Sequence, residues 1–335
     1  SRIEELKKLA PDANWNKAEE FNSQGKHREA LSIYLGIMDR YPDSEYSRKA
    51  KIQIDRIKNL AEIQACQDTI KKKDKCAPAA QYRIAEIYET EMQDYPRAIK
   101  EYEKVVEDYP GTYWAADALY RMGLIYSGSN SPDIRLAKED KKEKQAGFKG
   151  ASAPLEQRAS GAAAPKKAVK LDYRKAIEKY RQLTREYPNT YTAAEAHYQL
   201  GEIYRTRLGD YDRSLEEYSK VINDYPRRNL YVGEGYKDSL ADAAQFKIGR
   251  IYYENLHDYD MALKVFTKFM DDYPDSCRKT AAYSFIAAIQ ERQRDRKAAV
   301  NSIEQIIDII VESNVQSSFF VRDSLPGIRN SEGGS

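Results

Sequence analysis

An internal repeat constrains the fold of this chain more than any other feature of its sequence. Five segments end in the dipeptide Tyr-Pro, with a small residue twelve positions before the proline and an aromatic ring eight positions before it. The prolines are Pro42, Pro110, Pro188, Pro226 and Pro274; the small residues are Ala30, Ala98, Ala176, Ser214 and Ala262; the rings are Tyr34, Tyr102, Tyr180, Tyr218 and Phe266. Self-similarity of this kind is typical of repeat folds, in which each unit packs on its neighbours.

The spacings inside each repeat are helical periods. Four repeats also carry, further upstream, a small residue followed three positions later by tyrosine: Ala85/Tyr88, Gly123/Tyr126, Gly201/Tyr204 and Gly249/Tyr252. Offsets of three, four, eight and twelve place residues on one face of a helix, so each unit predicts two helices, with rings beside small residues where backbones approach closely. The proline ends the second helix. A hydroxyl two residues after a closing proline, at Ser44, Thr112, Thr190 and Ser276, predicts the N-cap of the next helix.

The repeat resembles the tetratricopeptide repeat. The segment LGEIY at 200–204, followed by SLEEY at 214–218 and Pro226, matches that family's order of small residue, tyrosine, small residue, aromatic ring and closing proline. The resemblance implies an all-α fold, a right-handed superhelical solenoid of about seven antiparallel helical hairpins. The turn is one residue longer than the commonest form, which is similar to the bacterial cell-envelope subset, as in the outer-membrane assembly lipoprotein and the Tol-Pal-associated periplasmic coordinator.

Counting from the repeat markers predicts the domain organisation. Residues 1–126 hold units 1–3 and the first helix of unit 4, and residues 172–312 hold its second helix and units 5–7. Between them, residues 127–171 form a low-complexity insertion of net charge +5, which we expect to be flexible. We expect residues 313–335 to form a flexible tail. Residues 44–75 read as a degenerate second unit.

Composition argues against most catalytic and nucleic-acid functions. The chain has 55 Lys and Arg against 53 Asp and Glu, a net charge of +2, so bulk charge does not favour a nucleic-acid partner. Its three cysteines and three histidines follow no metal-ligand spacing, and no nucleotide-binding or nucleophile motif occurs. We therefore expect no enzyme activity, no cofactor and no metal. No apolar run is long enough to predict a transmembrane segment.

A second set of rings gives the predicted binding surface. Tyr82, Tyr120, Tyr198 and Phe246 each precede the small position of a first helix by three residues. In the resembled family that position tends to face the concave groove, which implies a surface for a protein or an extended peptide, with Glu86, Glu202 and Arg250 one turn further along. The alternative is that these rings pack between the first helices.

Cys66 and Cys76 are candidates for a disulfide, because an oxidising compartment would tend to join them. Against this, the helix end beyond Cys66 leaves only a short stretch of chain to lead back to it.

The sequence thus predicts a non-enzymatic protein-interaction scaffold. The resemblance places it in the bacterial envelope, in the periplasm, with a signal sequence and a possible lipid anchor upstream of Ser1 that would hold it at the outer membrane. The alternative is a cytosolic scaffold of a multiprotein complex. An enzyme with accessory repeats would need a catalytic domain for which residues 1–335 leave no room.

Overall fold

Helices make up every regular element in the described residues of the structure, a computed structural model that describes residues 2–129, 171–225, 240–293 and 301–311. The helices are α1 (Arg2–Ser23), α2 (His27–Arg40), α3 (Glu45–Lys71), α4 (Ala77–Glu86), α5 (Tyr95–Asp108), α6 (Tyr113–Ser127), α7 (Tyr173–Glu186), α8 (Tyr191–Ile203), α9 (Tyr211–Asp224), α10 (Leu240–Arg250), α11 (Tyr259–Asp272), α12 (Lys279–Arg292) and α13 (301–311). The predicted all-α fold class is confirmed.

The chain divides into two compact units, Ser1–Pro188 and Asn189–Ser335. Within each unit a helix packs chiefly on the helices that precede and follow it in sequence. In the first unit the hairpins are α1–α2, α4–α5 and α6–α7, and in the second they are α8–α9 and α10–α11. This sequential packing is what stacked helical hairpins require.

Three of the predicted N-caps are confirmed. The hydroxyls of Ser44, Thr112 and Thr190 each accept a hydrogen bond from the backbone N–H three residues later, at 3.0–3.2 Å. Each cap follows a second helix that ends at the tyrosine of its Tyr-Pro pair. The proline and the hydroxyl together set the boundary between one hairpin and the next.

Ser276 does not cap its helix in the same way. Its hydroxyl accepts from the backbone N–H of Arg278 at 3.1 Å and donates to the buried carboxylate of Asp242 at 2.5 Å, and α12 begins only at Lys279. The predicted capping pair of Asp242 with Ser239 is not described, because Ser239 lies outside the described residues. Ser276 therefore connects two helices.

The expectation of a degenerate second hairpin at residues 44–75 is wrong. Glu45–Lys71 is one uninterrupted helix of 27 residues, which packs on both α2 and α4. No glycine or proline lies between Asp43 and Ala77 to interrupt it, and Ile54, Ile57 and Ile63 are buried along its length. A single long helix takes the place of a unit.

The extra residue in the hairpin turns is absorbed by π-helix. The first helices α4, α8 and α10 continue into π-helical turns at 87–91, 204–208 and 251–256. In the first hairpin the spacing from tyrosine-position ring to small residue is nine rather than ten, and α1 ends without a π turn. A π turn widens the helix by one residue, so it keeps the second helix in register with the first.

The insertion leaves the chain at a conserved hairpin contact in unit 4. The backbone N–H of Asp172 donates to the carbonyl of Tyr126 at 3.0 Å, although 45 residues separate them. Equivalent bonds join Asp94 to Tyr88, Asp210 to Tyr204 and Asp258 to Tyr252 at 2.7–3.0 Å. The two ends of the insertion therefore meet as a normal hairpin turn does. Residues 130–170 and the tail predicted at 313–335 lie outside the described residues.

Candidate functional site: the first-helix faces

Beneath the predicted binding surface lies the core that the repeat signature builds. A Cβ added to Gly123 would stand 2.4 Å from Cε1 of the Tyr180 ring, and one added to Gly201 would stand 2.7 Å from Cε1 of Tyr218. All five repeat rings and all five small residues twelve before proline are fully buried. The signature residues are therefore used for packing, and partners must be sought among other side chains.

The predicted groove rings lie directly on the core rings. Each packs against the ring of its own hairpin's second helix, with centroid distances of 5.3–5.9 Å; the pairs are Tyr82–Tyr102, Tyr120–Tyr180, Tyr198–Tyr218 and Phe246–Phe266. Tyr82 also contacts Trp114 of the next first helix at 5.0 Å. Tilted and edge-on contacts of this kind stabilise the stack beyond the area they bury.

Burial separates these four rings into two kinds. Tyr82 and Phe246 keep only 7 and 8 % of their surface exposed, whereas Tyr120 and Tyr198 are half-buried. Buried rings offer little surface to a partner, so the role of Tyr82 and Phe246 in the structure is packing. The prediction that the rings form a partner-binding groove thus rests on Tyr120 and Tyr198.

In the first unit the rings lie beside a buried polar cluster. The Tyr82 hydroxyl donates to Asp117, and the Tyr102 hydroxyl donates to Glu89 at 2.6 Å. Arg121 lies 3.2 Å from the same Glu89 carboxylate. Burial raises the pKa of Asp117, although the hydrogen bond from Tyr82 and the charge of Arg121 oppose the change. Charged partners compensate the burial of these carboxylates.

Glu86 stands at the edge of this cluster. Arg83 bridges it, at 2.8 Å, to Glu62 of the preceding helix, at 2.7 Å. These side chains are 33–45 % exposed, so the bridge contributes little to stability and its charges remain accessible to a partner.

In the second unit Glu202 is the centre of the face. It accepts hydrogen bonds from Tyr218 at 2.5 Å and from Arg205 at 3.0 Å, and it pairs with Lys247 of the neighbouring first helix at 2.8 Å. Burial alone would raise the pKa of Glu202, but the charges of Lys247 and Arg205 outweigh it and lower the pKa to about 2. Arg250, the other predicted residue, pairs with Glu254 at 2.8 Å.

Sequence reasoning missed a polar pair that recurs one residue before the rings. Gln81 Nε2 donates to Glu101 at 2.8 Å, and His197 Nδ1 lies 2.6 Å from Glu217. In the α10–α11 hairpin Gln245 occupies the corresponding position, but Val265 replaces the glutamate, and the buried Gln245 Nε2 has no acceptor among the described residues. The signal was present in the sequence as the residues preceding each ring pair.

Aspartate N-caps of the second helices were also missed. The carboxylates of Asp94, Asp172, Asp210 and Asp258 accept from backbone N–H groups of the first turn at 3.0–3.4 Å. Their signal is an Asp-Tyr or Asp-Tyr-like start four residues before the small position in four repeats. They fix where each second helix begins.

Cys66 and Cys76 carry free thiols in the structure. Cys66 packs half-buried against the cluster of Ile63, Ile84 and Ile87, and burial raises the pKa of its thiol. Cys76 is exposed at the start of α4.

Metal and membrane features were searched over the same residues. Within the described ranges no group of three or more His, Cys, Asp or Glu side chains is arranged to hold a metal ion. None of the helices there combines the length and apolar character that crossing a bilayer demands.

Comparisons with known proteins agree with the hairpin geometry. Two family models described as tetratricopeptide repeat match the chain, one at residues 79–112 and 243–276 and the other at residues 169–229. A sequence search of curated proteins finds no match.

Solved structures of similar arrangement include three repeat proteins. A TPR repeat-containing protein from Cytophaga hutchinsonii is 15 % identical, with 88 % of this chain and 94 % of that chain covered and a TM-score of 0.47. MamA is 16 % identical over 69 % of this chain and 96 % of its own, with a TM-score of 0.41. BtubC from P. vanneervenii is 13 % identical over 83 and 97 %, with a TM-score of 0.42. At these identities the likeness says nothing about function.

The family matches fall on the hairpins that carry the repeat signature. Residues 79–112 cover α4 and α5, and residues 243–276 cover most of α10 and all of α11. These segments, together with residues 169–229, are tetratricopeptide repeats, and the protein that contains them is a tetratricopeptide-repeat protein.

Proposed function

We propose that the chain is a non-enzymatic scaffold that binds a protein or an extended peptide on its first-helix faces. Tetratricopeptide repeats suggest protein–protein interaction as the general role. The observation that carries the proposal is the division of labour within each hairpin. The signature residues are wholly buried, while Tyr120 and Tyr198 are half-exposed on first helices beside charged side chains.

The proposed contact residues are the accessible members of the predicted set. Tyr120 and Glu86 serve the first unit, and Tyr198, Glu202 and Arg250 serve the second. Half-exposed rings next to charges suit a partner that has both apolar and polar groups, because the ring buries apolar surface while the charges orient the partner. Tyr82 and Phe246 support this surface from below.

Site-specific photocrosslinking in the native cell tests this proposal. A photoreactive residue at Glu86 or Arg250 should capture a partner that the same residue at Lys264, exposed on the second helix α11, does not capture. Charge reversal by Glu86→Lys or Arg250→Glu should weaken capture, whereas Lys264→Glu should not. Equal capture from all three positions would show that the first-helix faces are not the binding surface.

We propose further that the protein functions in the bacterial envelope, in the periplasm and held at the outer membrane by a lipid anchor. What supports this location is the Tyr-Pro-closed repeat with its ten-residue spacing from tyrosine to small residue, which resembles envelope proteins. Reading the codons upstream of Ser1 and testing protease access in spheroplasts decide the location. An initiator methionine without an apolar segment would favour the cytosolic scaffold.

A further inference from the structure

The outer face of α13 is an apolar stripe. Ile303, Ile307 and Val311 are spaced four residues apart and are 49, 53 and 54 % exposed. Residues at this spacing lie on one side of a helix. The opposite side faces the protein, since Ser302 is buried and donates to Gln290 of α12 at 2.9 Å.

This face corresponds to one that is covered elsewhere in the chain. The second helices α2, α5, α9 and α11 each pack on the helix that follows them in sequence. By its position after α12, α13 is the second helix of the last predicted unit. Stacked repeats need either a further helix or a polar surface at such a face, and the α13 stripe is not polar.

Charge indicates what kind of helix fits. Glu304 and Asp308 are exposed beside the stripe, and residues 301–311 contain no lysine or arginine. A second copy of α13 would bring like charges together, and residues 312–335 carry a net charge of −1. A helix with lysine or arginine beside its own apolar stripe complements the face in both respects.

We propose that the α13 face, formed by Ile303, Ile307 and Val311 with Glu304 and Asp308, docks an amphipathic helix of a partner protein whose apolar stripe is flanked by basic residues. The docked helix continues the helix stack and covers the three aliphatic side chains. This surface is separate from the first-helix faces, so the experiments at Glu86 and Arg250 neither support nor contradict it.

A designed peptide tests the proposal on the full chain. The probe is a labelled amphipathic helix of about 18 residues with leucines on one face and lysines beside them. Two siblings serve as comparisons: one has glutamates in place of the lysines, and one has the probe's composition in an order without a stripe. Fluorescence anisotropy should show the probe binding about tenfold more tightly than either sibling.

Variants of the face complete the test. Ile307→Glu should weaken probe binding about tenfold, while Leu35→Glu, an equally exposed leucine on α2, should leave it unchanged. Glu304→Lys with Asp308→Lys should abolish the preference over the glutamate sibling.

Four results would overturn the proposal. One is equal binding of the sibling without a stripe, which would mean attraction by charge alone. Another is unchanged binding to Ile307→Glu. A dimer in sedimentation that Ile307→Glu dissociates would identify a second copy as the occupant. Tighter binding to a Phe319→Ser/Phe320→Ser chain would identify the chain's own tail.

Discussion

At the scale of the residue, the glycines of the first helices show how closely the hairpins pack. Gly201 meets the buried Tyr218 ring, and a Cβ there would approach ring carbons at 2.7–2.9 Å. We expect Gly201→Ala to destabilise the protein by about 1–3 kcal/mol, because the ring is enclosed and cannot move aside. The measurement is the free energy of unfolding in urea.

Gly36 is the matched control, since it lies inside α2 and a Cβ there would meet nothing within 4 Å. Gly36→Ala should stabilise the helix by about 0.5–1 kcal/mol. If Gly201→Ala were as stable as the parent protein, the close approach would not limit packing.

A second residue-scale prediction concerns the orphaned amide of Gln245. Glutamates pair with the residues at the same position in two other hairpins, whereas Val265 takes the glutamate's place opposite Gln245. Val265→Glu should stabilise the protein by about 1 kcal/mol, because it gives the buried Nε2 an acceptor. Thermal unfolding measures the effect, and Val265→Gln, which keeps an acceptor without the charge, should recover part of it. A loss of stability in both variants would contradict the prediction.

At the scale of the element, Glu202 ties α8 to α10 through Lys247. The pKa of Glu202 is about 2 in the folded protein, below the 4.5 of an ordinary glutamate. Between these values the unfolded state binds more protons, so the stability from this pair is present above pH 4.5 and is lost as the pH falls toward 2. The loss should be on the order of 1–3 kcal/mol.

Urea denaturation across this pH range checks the Glu202 prediction. Glu202→Gln should be less stable at pH 7 and should lose less stability on acidification, because its side chain does not titrate. Glu216→Gln, at a more exposed glutamate of α9, should behave like the parent protein. Parallel pH profiles for the parent and Glu202→Gln would contradict the assignment.

The insertion is a second element-scale question. Six positions separate the tyrosine and the aspartate in the α4–α5, α8–α9 and α10–α11 hairpins, and deletion of residues 131–170 gives Tyr126 and Asp172 that same separation. We expect the deletion variant to fold with equal stability or up to about 2 kcal/mol more, because closing a shorter loop costs less entropy. Circular dichroism and thermal unfolding measure this. An unfolded variant would show that the inserted residues pack on the repeats.

At the scale of the whole molecule, contacts run between helices that are neighbours in sequence. A local change should therefore loosen its own unit more than the rest. We expect Gly201→Ala to speed amide hydrogen exchange in α8–α11 and to leave exchange in α1–α3 unchanged. Exchange measured by mass spectrometry resolves the two units, and an equal acceleration in both would mean that the chain opens as one cooperative body.

The sequence by itself determined the hairpins, their boundaries and their cores. Tyr-Pro ends a helix because proline has no N–H to donate, and Gly201 needs no neighbour in sequence to show that a ring must lie beside it, since the same spacing recurs in every copy. These are local rules, and the structure repeats them hairpin by hairpin.

Only the tertiary structure decided what a partner can reach. Tyr82 and Tyr120 occupy the same repeat position, yet Tyr82 is buried because Trp114 of the next first helix packs on it. Pairing of Glu202 with Lys247 likewise depends on how two helices 45 residues apart lie together. Spacing along one helix specifies which face a residue is on, but the neighbouring unit determines how much of that face remains exposed.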